Sequence, residues 1–335
     1  MKVYEIRDGF GFEHLQCGDK PDPRPGPGQV LVKVRAASLN YRDILVVKGA
    51  YNPKMPLPRI PLSDAAGVVE AVGPGVTRVK TGQRVAGIFM QNWLDGEVDE
   101  AKARSALGGA IDGVLAEYVV FDENGVVPVP EHLSDEEAAA LPCAAVTAWH
   151  ALVAEGGIKA GDTVLTQGTG GVSLFALQFA KLLGARVIGT SSSDAKLDRA
   201  RSLGLSDGIN YKTTPEWGEA ARKLAGGGGV DHVVEVGGAG TLSQSLRAVR
   251  LNGRVSLIGV LSGGSQFNPM PLLMKNVRLQ GIFVGSRAMF EAMNKAVALH
   301  KLRPVVDRVF PFAEAIAALK HLESGAHFGK VVISF

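Results

Sequence analysis

Residues 164–173 read VLTQGTGGVS. Gly168 and Gly170 take the first two places of the dinucleotide fingerprint G-x-G-x-x-G/A, and Ser173 takes the third. The first glycine permits a tight turn, and the second lets backbone approach a pyrophosphate. The third position needs a small residue so that helix can pack on strand, which serine satisfies while departing from the consensus. Before the turn the chain is apolar. After it, Val172, Phe175, Ala176, Phe179, Ala180 and Leu183 recur at helical spacing, so the glycines join a strand to a helix. The unpaired N–H groups opening such a helix attract an anion. The chemistry implied is the binding of a dinucleotide coenzyme.

The fingerprint expects an acid about 20 residues on, gripping the adenosine ribose hydroxyls of NAD. Here the second strand ends GTSSSDAK, with Ser191 in that place. An acid there would repel a ribose 2′-phosphate by about 4 kcal/mol per charge pair at about 4 Å, under an effective dielectric of about 20. The serines remove that barrier, and Lys196 with Arg199 supplies positive charge, so NADP(H) is read over NAD(H). Asp194 is expected to cap the next helix. The competing reading makes Lys196 and Arg199 a solvated helix face and gives the ribose to Asp194.

The elements that position this turn follow from the rest of the chain. At 335 residues the chain exceeds what one core usually serves, which predicts two domains. The first stretch carries the strand candidates MKVYEIR, QVLVKVRAASLN, GVVEAVG and QRVAGIF between clusters such as PDPRPGPG, which predicts a barrel-like, mostly antiparallel domain. From Ser134 the pattern turns helical, opening on a capping box of Ser134 and Glu137. TVLTQ, ARVIGT, GINY, VDHVVEV, RVSLIGV and VRLQGIFV then alternate with helical segments, which predicts a doubly wound parallel sheet. The fold class is therefore α/β. The segment from about Arg287, with two helices and the strand KVVISF, is expected to fold back onto the first domain.

Charge excludes one class of partner. A net +3 from 36 basic and 33 acidic residues leaves no basic block, so nucleic-acid binding is not expected. MKVYEIRDGF lacks a signal-peptide core and no run of 18 apolar residues occurs, so a cytoplasmic protein without a membrane partner is expected. Cys17 and Cys143, without paired spacing, fit a reducing compartment.

Over nearly its whole length the chain resembles the medium-chain dehydrogenase/reductase superfamily, particularly its zinc-independent quinone-oxidoreductase-like branch. AASLNYRD, SDAAGVVEAVGPGV, DGVLAEYVV, LPCAAVTAWHAL and HFGKVVISF carry the resemblance. It implies a GroES-like catalytic domain from residues 1–144 and 287–335, with a Rossmann domain, 145–286, inserted in it. It further implies a homodimer joined through the edge strand VRLQGIFV.

Zinc-dependent members place a cysteine in the segment matching SLNYRD and a Gly-His-Glu in that matching LSDAAG. This chain has Asn40 and Ser63, leaving only Cys143 where relatives carry a third ligand. One thiolate does not replace the three protein ligands of a catalytic zinc. None of the seven histidines, at 14, 132, 150, 232, 300, 321 and 327, pairs with another at metal-ligand spacing, so no metal is expected. Cys143 is expected to be a buried small side chain, a thiol activated beside the coenzyme being the alternative.

By the resemblance, Asn40 and Thr147 lie against the nicotinamide ribose and ring, and Gly170, Gly171 and Val172 meet the pyrophosphate. Ser191, Lys196 and Tyr211 surround the 2′-phosphate, Gly237 and Ile258 line the adenosine and ribose side, and Phe283 and Val284 lie near the nicotinamide. Tyr51 stands where related reductases carry a tyrosine at the substrate cleft, as proton donor, oxyanion stabiliser or pocket wall; Tyr41 is a further candidate donor. Asp64 matches the acid of the zinc motif, as a remnant or a fold determinant. Phe89 and Trp93 are expected to shape an apolar pocket. The activity implied is hydride transfer between NADPH and an apolar carbonyl, enone or quinone, or the corresponding alcohol. A non-catalytic NADPH-binding structural or regulatory protein is the alternative.

Overall fold

The computed structural model describes residues 1–259, 261 and 268–335. Contacts divide the chain into two compact units, Met1–Val146 with Gly285–Phe335, and Thr147–Val284.

The first unit is built on a sheet whose central strand, Gln29–Ser38, alternates buried and more exposed residues and then buries Ala36, Ala37 and Ser38 in succession. Asp64–Val72 pairs with it antiparallel, Tyr118–Asp122 pairs with its first half and Lys330–Ser334 with its last residues. The chain terminus thus completes a sheet begun some 300 residues earlier. One pairing breaks the antiparallel pattern: Val306–Pro311 runs parallel to Lys330–Ser334. Val32, Val34, Val69, Val85, Val331 and Ile333 form the core with Leu319 and Leu322 of the helix Ala315–Glu323. The Ser134 capping box is present, with Glu137 N–H donating to Ser134 Oγ at 3.2 Å and Ser134 N–H to Glu137 Oε2 at 2.9 Å. After the short helix Asp135–Ala139, Leu141–Ala145 forms a wider π-helical turn.

Among the described residues the second unit holds six strands, all parallel. In chain order they are Thr163–Gln167, Arg186–Ser191, Asp207–Asn210, Val230–Glu235, Val249–Leu257 and Arg278–Gly281. Their spatial order is third, second, first, fourth, fifth, sixth. This is the doubly wound dinucleotide-binding order, whose switch point lies between the first and fourth strands. Leu165, Ile188, Val233 and Val255 face Trp217, Ala221, Leu242 and Leu246 of two covering helices. Their sequence neighbours Val164, Val187 and Val234 point the other way and are equally buried, so both faces are covered.

Two strands differ from their sequence reading. VRLQGIFV contributes only Arg278–Gly281, because Val284 takes a left-handed backbone with φ 55°, which no strand accommodates. RVSLIGV keeps Arg254–Leu257 within the strand Val249–Leu257, while Val260 lies outside the described residues. Among the described residues no helix is long and apolar enough to cross a membrane.

Candidate active site

The glycine turn sits at the switch point. Gly168 has φ 70°, and its N–H reaches across to Thr190 O at 2.7 Å, fastening the turn to the end of the second strand. Gly170 precedes the helix Gly171–Leu182, and no side chain caps it. The first intrahelical bond is Leu174 N–H to Gly170 O at 3.0 Å, which leaves the N–H groups of Gly171, Val172 and Ser173 without intrahelical acceptors. A Cβ on Gly170 would meet no atom within 4 Å. Open space above uncapped N–H groups at a helix start fits a pyrophosphate. Ser173 does more than stay small: its buried hydroxyl donates to Gln167 O at 2.6 Å and ties the helix back to the strand it follows.

The other coenzyme candidates of this unit, Thr147 apart, share one end of the sheet. Ser191 ends the second strand, and Tyr211, Gly237, Ile258 and Phe283 each follow one of the next four. Since all six strands are parallel, these positions gather at the carboxyl end, where open α/β sheets bind ligands. Tyr211 N–H donates to Ser191 O at 3.0 Å, and the Ser191 hydroxyl accepts from Ser193 N–H at 3.2 Å. Ser191 is buried, Lys196 half-buried and Tyr211 exposed. Phe283 is exposed and Val284 buried. Thr147 is also buried, on the helical segment Val146–Trp149 before the first strand.

The cap of the helix Asp194–Ser202 is Ser193, whose hydroxyl accepts from Lys196 N–H at 3.4 Å, and not Asp194. Asp194 is the first helical residue, and its carboxylate accepts from Asn210 Nδ2 at 3.0 Å. An extended backbone at Ser193 puts its short hydroxyl under the helix start, which displaces the acid by one position.

Sequence reasoning missed Glu235. Fully buried, it accepts from Gln167 Nε2 at 2.6 Å, from Gly237 and Gly238 N–H at 2.9 Å each, from Thr241 Oγ1 at 2.6 Å and from Ser245 Oγ. Gln167 Oε1 in turn accepts from Val236 and Gly237 N–H at 3.2 and 3.1 Å. The first and fourth strands are thereby locked together beside the switch point.

In the first unit, Asn40 precedes the helix Tyr41–Val47, and its N–H donates to the Asp43 carboxylate at 2.7 Å. Burial pushes Asp43 up to about 7 against the attraction of Arg42 and the Asn40 N–H. Lys330, buried at the start of the last strand, donates from Nζ to Leu39 O and to Asn40 Oδ1, both at 2.6 Å. Asp64 accepts from Ser63 Oγ at 2.7 Å and from Cys143 N–H at 3.0 Å. Burial raises the Asp64 carboxyl, opposed by Lys330, Ser63, Asn40 and the Cys143 N–H. The Cys143 thiol is raised by burial and by the charge of Asp64, the direction opposite to an activated thiolate.

A zinc ion does not fit this donor set. An amide whose oxygen is held by an ammonium, a hydroxyl committed to Asp64 and one thiol held in its protonated form do not supply three anionic or imidazole ligands. Among the described residues no three His, Cys, Asp or Glu side chains are grouped to hold a metal ion.

Tyr51 is exposed, its ring centroid 5.0 Å from the Arg42 guanidinium carbon; Tyr41 is exposed as well. Trp93 is not a pocket wall: it is fully buried, with its indole N–H on Gly96 O at 2.8 Å. Phe89, also buried, lies 4.6 Å from the Arg42 guanidinium carbon. Neither ring is thus exposed as a pocket wall, and the Phe89 ring has the Arg42 cation against it.

Comparison with known proteins places this architecture. Residues 26–131 match the alcohol dehydrogenase GroES-like domain and residues 171–299 the zinc-binding dehydrogenase family. A zinc-type alcohol dehydrogenase-like protein of Schizosaccharomyces pombe is 46% identical over 98% of both chains. The chain belongs to the medium-chain dehydrogenase/reductase superfamily. The quinone oxidoreductase of Rattus norvegicus is 29% identical over 99% of this chain and 97% of its own. A solved structure described as an NAD-dependent alcohol dehydrogenase superposes with a TM-score of 0.92 at 37% identity, covering 100% of both chains. This medium-chain dehydrogenase/reductase is thus an oxidoreductase of the alcohol dehydrogenase, quinone oxidoreductase and enoyl reductase type, and the superfamily uses a nicotinamide coenzyme.

Proposed function

We propose that the protein is a zinc-independent, NADP(H)-dependent oxidoreductase acting on a carbonyl, enone or quinone, or on the corresponding alcohol. The observation that carries the reading is the uncapped helix start at Gly170–Val172, at the switch point of a six-stranded parallel sheet. When bound there, the coenzyme supplies or accepts the hydride. Gly168, Gly170, Gly171 and Val172 hold the pyrophosphate; Ser191, Lys196 and Tyr211 take the 2′-phosphate; Gly237 and Ile258 line the ribose side. Asn40, Thr147, Phe283 and Val284 would meet the nicotinamide end.

The absence of an acid at Ser191 supports NADP(H), and this choice rests on the chain's own residues, since the solved relative described above is NAD-dependent. Independence from zinc is supported by the Lys330 contact on Asn40 Oδ1. Tyr51, exposed on the same unit as Asn40, is the proposed proton donor. Dimerisation through Arg278–Gly281 is supported by its place at the edge of the sheet among the described residues and by exposed Met270, Leu273 and Met274 on the preceding helix.

Fluorescence titration with NADPH and NADH, followed by NADPH oxidation against quinones, enones and aldehydes with and without chelator, tests the reading. Tighter NADPH binding and chelator-resistant turnover are expected. Failure to bind either coenzyme overturns it, and binding without turnover of any substrate would make the protein a coenzyme-binding module. Tyr51→Phe is expected to lower turnover while coenzyme affinity stays the same.

A further inference from the structure

Arg42 is a guanidinium with unfinished bonding. Its Nη2 donates to Leu107 O at 2.8 Å, while Nε and Nη1 are buried with no hydrogen-bond partner. Among the described residues no carboxylate forms an ion pair with it. The neighbouring Asp43 accepts instead from Asn40 N–H. Gly109 passes close by, where a Cβ would fall 2.5 Å from Nη2.

The aromatic rings of Phe89 and Tyr51, 4.6 and 5.0 Å from the guanidinium carbon, address part of its charge. They do not satisfy the N–H groups, which need acceptors in the guanidinium plane. An arginine stays charged at every working pH, so the unmet demand cannot be removed by losing a proton. Buried donors on a fixed cation are costly to leave unpaired, and an oxyanion meets both the charge and the hydrogen bonds.

We propose that Arg42 is a substrate-anion subsite, and that the carbonyl or enone handled by this protein carries a carboxylate or a comparable planar oxyanion. Phe89 and Leu107 fix the guanidinium from the interior, and Tyr51, exposed, covers it from the solvent side. The inference rests on the proposed hydride-transfer function for its choice of ligand. Recognition of the anion is a separate property with its own readout.

Levulinate and methyl propyl ketone, which replaces the carboxylate of levulinate by a methyl group, serve as a matched saturated pair for calorimetric titration with NADP⁺ present and absent. At least tenfold tighter binding of levulinate by the native protein is expected, with Arg42→Met erasing the preference and Arg42→Lys retaining part of it. Acetylacrylate, the unsaturated counterpart of levulinate, should likewise be reduced by NADPH with a higher kcat/KM than methyl propenyl ketone, and the two values should converge in Arg42→Met. Equal binding of the pair, binding of neither, or a preference that survives in folded Arg42→Met overturns the proposal. Preferential levulinate binding without NADPH oxidation by any substrate would leave the subsite standing and remove the hydride-transfer reading.

Discussion

Nζ of Lys330 lies 2.6 Å from Oδ1 of Asn40, across 290 residues of sequence. An ammonium only donates, so the contact fixes which end of the carboxamide is oxygen and turns Nδ2 the other way. That Nδ2 is buried without a partner of good hydrogen-bond geometry, although the amide's proximity helps Asp64 to ionise. Lys330 is thus a positioning residue for the side chain proposed to meet the nicotinamide end. Lys330→Met should destabilise the protein by about 1.5–3 kcal/mol, the range for a lost hydrogen bond from a charged group. Turnover should fall more than coenzyme affinity, and Lys330→Arg should restore stability better than Met does. Thermal denaturation with steady-state kinetics checks both; a Met variant of native stability and native kcat would leave Lys330 without either role.

Asp43 sets a pH dependence whose sign follows from burial. Its carboxyl is held up at about 7 in the folded chain against an ordinary value of 3.8. Between these values the folded state binds more protons than the unfolded state, so this contribution to stability is complete below about 4 and is lost as pH rises through 7. The full effect is at most about 4 kcal/mol for about three pKa units. Asp43→Asn keeps an acceptor for the Asn40 N–H without the charge. It should stabilise the protein relative to native at pH 8 more than at pH 5, as read from denaturant midpoints at the two values. An equal difference at both would show that Asp43 titrates normally.

The alternation of strands and helices was legible in the sequence because a doubly wound sheet writes its period into each segment. The glycine turn was legible because its three special positions lie within six residues. Arg42, Lys330 and Glu235 were not, for a common reason. Each sits inside a segment whose local pattern is satisfied without it: SLNYRD as a helix start, KVVISF and VDHVVEV as strands. Their partners Leu107, Asn40 and Gln167 are 65, 290 and 68 residues away, and no local pattern encodes those meetings. Val284 escaped likewise, since a β-branched residue at the end of an apolar run reads as strand. In the structure it is left-handed, and its carbonyl accepts from His150 Nδ1–H at 2.8 Å.

Ser191→Asp tests the coenzyme choice at one atom group. Ser191 ends the second strand, with its hydroxyl on Ser193 N–H. A carboxylate there would face the 2′-phosphate of NADPH at a cost of up to about 4 kcal/mol, while offering NADH an acceptor for its ribose hydroxyls. NADPH affinity should fall at least tenfold and NADH affinity should rise, measured by quenching of protein fluorescence. Unchanged NADPH affinity would move the 2′-phosphate away from Ser191.

Glu235 carries the heaviest structural demand in the second unit. Its carboxylate is the common acceptor for Gln167, Gly237, Gly238, Thr241 and Ser245. Glu235→Ala takes the acceptor from Gly238 N–H and the Ser245 hydroxyl, each worth about 1–3 kcal/mol unless water enters, while Gly237 N–H keeps Gln167 Oε1, Gln167 Nε2 keeps the Ser245 hydroxyl and Thr241 Oγ1 keeps Gly238 O. A loss of about 2–5 kcal/mol is expected from the unmet donors together. Because Gln167 also holds Gly237 and lies next to Gly168, the loss should reach the glycine turn. Hydrogen exchange should quicken at Gly168 and Gly237 before it quickens in the Gln29–Ser38 strand of the other unit, and coenzyme affinity should fall with it. Glu235→Gln reverses one donor–acceptor relation while keeping the shape, so it should recover part of the stability. If Glu235→Ala instead exchanged at native rates around Gly168, the network would brace the sheet without shaping the site.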